Sequence, residues 1–148
     1  MIVTDKQVAV LRAALVGDDE TFERLGGESD QDYGDAFGVL MATAFVLAAR
    51  RRFPGDWSSA DVIRFVGQVR AGYDDQDDSV DPGAAEHLLL AALRDTPMPA
   101  GIDEETKAHA QFALLSNMVG DEDPDSHKLD ALLAEARQMA DQWIAKRS

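Results

Sequence analysis

The sequence predicts an all-α fold: one domain, residues 1–148, in which six or seven helices form a bundle around a central apolar helix at about 30–52. Three observations lead there. No stretch sustains period-two alternation, and β-branched residues never cluster between turn signals as strands require. Apolar residues instead recur at three- and four-residue spacing, between stretches rich in Gly, Pro and Asp. The run AFGVLMATAFVLAA, residues 36–49, is apolar on every helical face, and such a helix must be surrounded by protein or by lipid.

The elements follow in order. Thr4 and Gln7 make a capping box for a first helix bearing Val8, Leu11 and Leu15, and Gly17 stops it. Asp18 or Asp19 caps a short second helix that uses Phe22 and Leu25 and ends at Gly26-Gly27. Ser29 or Asp30 opens the third, which takes in Tyr33 and Phe37 and runs into Arg50-Arg51-Arg52. Pro54-Gly55 breaks the chain. Ser58 caps a fourth helix with Asp61 at its third position; Val62, Val66, Val69 and Tyr73 form the core face, flanked by Ile63 and Phe65.

An acidic loop, residues 74–81, leads to Asp81-Pro82, where aspartate suits the cap and proline the first helical position. The fifth helix carries Leu88, Leu89, Leu90 and Leu93, and Pro97 and Pro99 close that region. Ile102-Asp103 opens a sixth, with Ala108, Phe112, Leu115 and Val119 on one face. After a second acidic loop, residues 121–125, the last helix presents Leu129, Leu132, Leu133, Ala136, Met139, Ala140, Trp143 and Ile144. Lys146 and Arg147 at its end complement the helix dipole.

Composition narrows the function classes. A chain of 148 residues buries roughly 70% of its unfolded surface without disulfides or structural metal. The absence of cysteine excludes disulfide frameworks, thiolate zinc sites and cysteine nucleophiles, and fits the cytoplasm. Met1-Ile2-Val3 is followed at once by Thr4, Asp5 and Lys6, which is no secretory leader. The apolar run of 36–49 falls short of the roughly 20 residues that span a bilayer, so no membrane role is expected. Abundant alanine and arginine with scarce lysine and asparagine fit a GC-rich bacterial gene.

The 28 acidic residues against 14 basic ones, net charge −14, make nucleic acid an unfavourable partner. A DNA-reading helix-turn-helix is also excluded by geometry, since an acidic loop rather than a tight turn separates the fourth and fifth helices.

Catalytic grammar is absent. No serine sits in a strand–turn–helix elbow, and Gly26-Gly27 lacks the lysine of a phosphate loop. No cofactor is expected, and an enzyme would be signalled only by a deep pocket holding Tyr33, Glu86 or His87. Glu105 and His109 share a helix face, yet no second carboxylate–histidine pair answers them as a di-iron bundle needs. The acidic loop has calcium-like spacing, with Asp75, Asp77, Ser79 and Asp81 alternating and Glu86 at the twelfth position. Val80 stands where the sharp turn wants glycine, and Pro82 interrupts the backbone pairing. A solvated loop is the simpler account.

The three arginines have two readings. They satisfy free carbonyls at a helix end, or with Trp57 they form a docking patch for an acidic partner or a phosphate. Arg64 or Arg70 is expected to pair with a loop carboxylate or with Glu86, and Gly34, Gly38 and Ala42 form a small-residue stripe suited to close helix packing.

Three segments, ADVIRFVGQVRAGY (60–73), DPGAAEHLL (81–89) and LDALLAEARQMADQW (129–143), resemble a group of small uncharacterised all-helical acidic proteins of actinobacteria. The resemblance covers about the last two thirds of the chain. It implies an intracellular helical domain and carries over no site and no activity.

The expected function is therefore non-enzymatic: a protein–protein interaction or accessory module, monomeric or homodimeric, docking its partner at Arg50, Arg51, Arg52 and Trp57. The alternative is an ion- or small-ligand-binding bundle using the 74–86 loop.

Overall fold

The computed structural model describes residues 3–17, 19–26, 35–72, 81–94, 96, 101–119 and 127–147. Within them the chain is all-α, with seven helices: α1 (Asp5–Val16), α2 (Asp19–Gly26), α3 (Asp35–Arg52), α4 (Ser59–Ala71), α5 (Pro82–Arg94), α6 (Glu104–Val119) and α7 (His127–Arg147). No strand occurs among the described residues. Among them too, no helix is long and apolar enough to cross a membrane.

The helix starts are set by local chemistry. Thr4 Oγ1 accepts from Gln7 N–H at 3.1 Å, and Gln7 Oε1 accepts from Thr4 N–H at 3.0 Å, so two orphan donors are satisfied reciprocally. Ser58 and Asp61 repeat the device at α4. Asp81 Oδ1 accepts from Ala84 N–H at 2.9 Å at the start of α5, and Asp103 Oδ1 accepts from Thr106 N–H at 2.7 Å at the start of α6. Gly17 ends α1 at φ 74°, a conformation that costs glycine nothing and a side-chain-bearing residue much more. Ser29, Asp30 and Tyr33, expected at the start of the third helix, lie outside the described residues.

The chain divides into two compact units. The first comprises Met1–Leu47 and Val119–Ser148. Its described core includes Val3, Val10, Leu11, Leu40 and Phe45, with Leu129, Leu133 and Ala136 of α7. Polar contacts tie its elements together. Val3 N–H donates to Asp141 Oδ1 at 3.0 Å, and Arg137 donates to Asp5 and, at 3.1 Å, to the Val3 carbonyl. Arg12 Nε donates to Asp130 Oδ1 at 2.7 Å, and the Thr43 hydroxyl lies 3.0 Å from both the Leu40 and the Ala136 carbonyls.

The second unit is Ala48–Met118. Val62, Phe65, Val66 and Val69 of α4, Leu88 and Leu89 of α5, and Leu114 and Leu115 of α6 are its large buried side chains. Phe65, expected at the edge of α4's core face, is buried, whereas Ile63 is 55% exposed.

Three further expectations change. On α6, Ala108 is exposed and Phe112 half-buried, while Ala110, Gln111, Ala113 and Leu114 join Leu115 and Val119 in the interior. The buried face is thus rotated toward Leu114. Alanine fits either side of such a helix, and a glutamine stands in the core where the pattern reads polar. On α3, Gly38 is exposed, and a Cβ built there meets nothing within 4 Å, so no helix crosses closely at that point. The remainder of α3 buries Ala36, Leu40, Ala44, Phe45, Leu47, Ala48 and Ala49. Trp143, placed on α7's apolar face by its spacing, is 43% exposed.

Candidate functional site

The α3–α4 connection builds a cleft of about 350 Å³, lined by Arg52, Phe53, Pro54, Asp56, Trp57, Asp61, Arg64, Phe65 and Gln68. All nine belong to the second unit. Local sequence explains its shape. Phe53 N–H still reaches the Ala49 carbonyl at 3.0 Å, which extends the α3 hydrogen-bond ladder one step beyond the last arginine. Pro54 then forbids continuation, and Gly55 turns the chain at φ 68°, a left-handed conformation that a side chain would strain. Ser58 restarts helix. Asp61, Arg64, Phe65 and Gln68 lie at the spacing that puts them on one side of α4's first turns.

The floor is aromatic. Phe53 and Phe65 are both buried and meet edge to face, with centroids 5.5 Å apart and planes at 79°. The Arg52 guanidinium lies over both rings, 5.1 Å from the Phe53 centroid and 5.3 Å from that of Phe65. Trp57 is half-buried, with the Arg94 guanidinium 5.9 Å from its ring centroid. An arginine held on a ring face keeps its donors in the guanidinium plane, at the edges that the rings do not cover.

Two aspartates also line the cleft. The Asp61 carboxyl is held below the usual aspartate value of 3.8, first by the Ser58 N–H that donates to it and then by the Ser58 hydroxyl. Desolvation opposes this, and Arg64 and Arg52 add to the lowering. Arg64 Nη1 stands 3.6 Å from Asp61 Oδ1, an exposed pair on one helix. Arg64 therefore meets the capping-box aspartate of its own helix, and the loop carboxylates of 74–80, offered to Arg64 or Arg70 by the sequence, lie outside the described residues. Asp61 is thus engaged at the start of its own helix.

Of the four residues expected to dock a partner, Arg52 and Trp57 are brought to the cleft; Arg50 and Arg51 precede Arg52 in the same exposed turn of α3. Among the described residues the recorded contacts of Arg52 are the two phenylalanine rings and the field of Asp61 rather than the terminal carbonyls of α3. Phe53, Phe65 and Arg94 were not legible as site residues, because phenylalanines at helical spacing read as core and Arg94 reads as an ordinary end of helix. The adjacency of RRRF to Trp57 was the signal within reach.

The alternative ion site is mostly beyond view. Asp75, Asp77 and Ser79 lie outside the described residues, Asp81 is exposed and caps α5, and Glu86 is half-buried on that helix. Among the described residues no three His, Cys, Asp or Glu side chains gather to hold a metal. Tyr33 is likewise outside them, and neither Glu86 nor the exposed His87 lines the cleft.

This chain is all-α among the described residues, with a surface cleft that joins aromatic rings to arginines. No protein family, curated protein or solved structure matches it.

Proposed function

We propose that this protein is a non-enzymatic interaction module that docks another protein at the cleft between the end of α3 and the start of α4. The observation that carries the reading is the Arg52 guanidinium resting on Phe53 and Phe65 beside a half-buried Trp57. Aromatic side chains and arginine are the residues most enriched where partners bind tightly. In a chain of net charge −14, a basic turn is also a strong local contrast that orients an incoming partner.

Photocrosslinking inside the producing cell tests this. Trp57→benzoylphenylalanine and Gln68→benzoylphenylalanine place the reagent in the cleft, and Ala131→benzoylphenylalanine places it on an exposed position of α7. The expected result is one shared partner captured from 57 and 68, missing from 131. It should also disappear when Arg50→Glu and Arg51→Glu are added. The absence of any cleft-specific adduct would overturn the reading.

A further inference from the structure

We propose that the cleft's occupant is an acidic peptide segment of the partner protein, seating one large apolar side chain in the cleft beside Trp57, with its carboxylates on the arginines around it. This rests on the docking reading above and names the chemistry of the docked segment.

Three properties of the cleft select this occupant. The first is charge. Arg52 and Arg64 line the cleft and Arg94 lies on its Trp57 ring, against Asp56 and Asp61, while Arg50 and Arg51 precede Arg52 in the last turn of α3. Asp61 and Arg64 offset each other, so the arginines exceed the remaining carboxylate, Asp56. Arg52 is held in place by two rings, so pairing it with a carboxylate orders little that is not already ordered.

The second property is the distribution of donors. A phosphate is bound where donors converge on one point, most often the free N–H groups of a helix start. At the start of α4 the Asp61 N–H already donates to Ser58 Oγ and the Ser58 N–H to the Asp61 carboxylate, whose negative charge there disfavours a phosphate. The arginines are instead spread over the last turn of α3, the second turn of α4 and the end of α5. Spread charges suit several separate carboxylates along a chain.

The third property is size. At about 350 Å³ the cleft is at the lower end of the roughly 300–1,000 Å³ of sites that enclose a small ligand. An aromatic floor of that extent accommodates one large apolar side chain while the rest of the segment passes over the rim. The geometry is an anchor with flanking charge.

The test selects a random peptide library displayed on phage against the whole protein. Binding is read from Trp57 fluorescence in the Trp143→Phe variant, where Trp57 is the remaining tryptophan of two. Selected peptides should carry several Asp or Glu around a Trp, Phe or Leu, and they should shift the Trp57 emission. Their affinity should fall about tenfold or more in Arg52→Gln and in the double variant Arg50→Glu/Arg51→Glu. The double variant leaves the Arg52 ring contacts intact, so it remains informative if Arg52→Gln disturbs the fold.

Selection of basic or uncharged peptides that still move Trp57 overturns the acidic occupant and leaves the docking site standing. A Trp57 response to inorganic phosphate or ATP, with none to any selected peptide, overturns it in favour of a small anion. Failure of peptide selection together with a lack of crosslinks from position 57 removes both this inference and the docking reading.

Discussion

In the unit built on α1 and α7, Arg12 reaches Asp130, and Arg137 reaches Asp5 and the Val3 carbonyl, so each guanidinium ties one segment to another. In the unit built on α4 and α5, Arg52 and Arg94 lie over aromatic rings, and Arg64 meets the cap of its own helix at 3.6 Å. The same residue type thus serves two ends. Where an arginine's donors are committed to carboxylates and carbonyls, it holds the fold. Where its flat face rests on a ring, its donors lie at the edges that the ring does not cover. That contrast, more than the number of arginines, supports the proposal that the α3–α4 cleft docks a partner.

The contrast requires that both units be held first by apolar burial, and this is where the largest effects are expected. Leu88→Ala in the second unit and Leu133→Ala in the first each remove a fully buried side chain and should cost about 2–5 kcal/mol in urea denaturation. A loss below about 1 kcal/mol in either would show that its unit is held by something else.

The arginines themselves come next. Arg137→Ala gives up a charge-assisted hydrogen bond to the carbonyl of buried Val3 and should destabilise by about 1–2 kcal/mol. Arg52→Ala loses ring contacts at an exposed position and should cost less than about 1 kcal/mol, while abolishing capture of the partner. The reverse order in thermal melts would erase the distinction between the two units.

Acid should separate the units as well. Asp61 and Asp103 both lie in the second unit, and both titrate below the ordinary 3.8 because Ser58 and Thr106, respectively, donate to them. Near and below 3.8 the unfolded chain takes up protons that the folded chain still refuses, so the stability these carboxylates contribute is present above that value. It is lost as pH falls through their lowered folded values. Hydrogen-exchange protection in the first turns of α4 and α6 should therefore drop below about pH 4. The first turn of α1, capped by the non-titrating Thr4, is the internal control. Asp61→Asn should flatten the pH dependence at α4, and an unchanged slope in that variant would assign the acid sensitivity elsewhere.

The smallest effect is expected at Ile63. With 55% of its surface exposed, Ile63→Ser should change stability by no more than about 0.5 kcal/mol. A larger loss, measured by the same melts, would mean that α4 buries this side of itself against another molecule in solution.

Much of the fold was legible because its causes are local. The boxes at Thr4/Gln7 and Ser58/Asp61, the caps at Asp81 and Asp103, and the stop at Gly17 are decided within a few residues of chain, and each stands where the sequence put it. The direction of α7's core face was readable for the same reason, since leucines and alanines repeat there against a plainly charged background. Of the nine residues lining the candidate site, Arg52 and Trp57 were readable, from an arginine run and a tryptophan lying close together. The rest was not, because nothing near Arg52 in sequence announces that it will rest on Phe65, a helix away.

By itself, then, the sequence determined the all-α class, the starts of α1, α4, α5 and α6, the end of α1, and the reversal of charge at Arg50–Arg52. Each of these follows from contacts three or four residues long or from composition. Tertiary structure alone decided which side of α6 is buried, that Phe65 goes inward while Ile63 stays out, and that Arg52 and Arg94 meet rings. Alanine-rich helices carry too little contrast to fix their own orientation. Only the side chains that other helices bring to them break that tie.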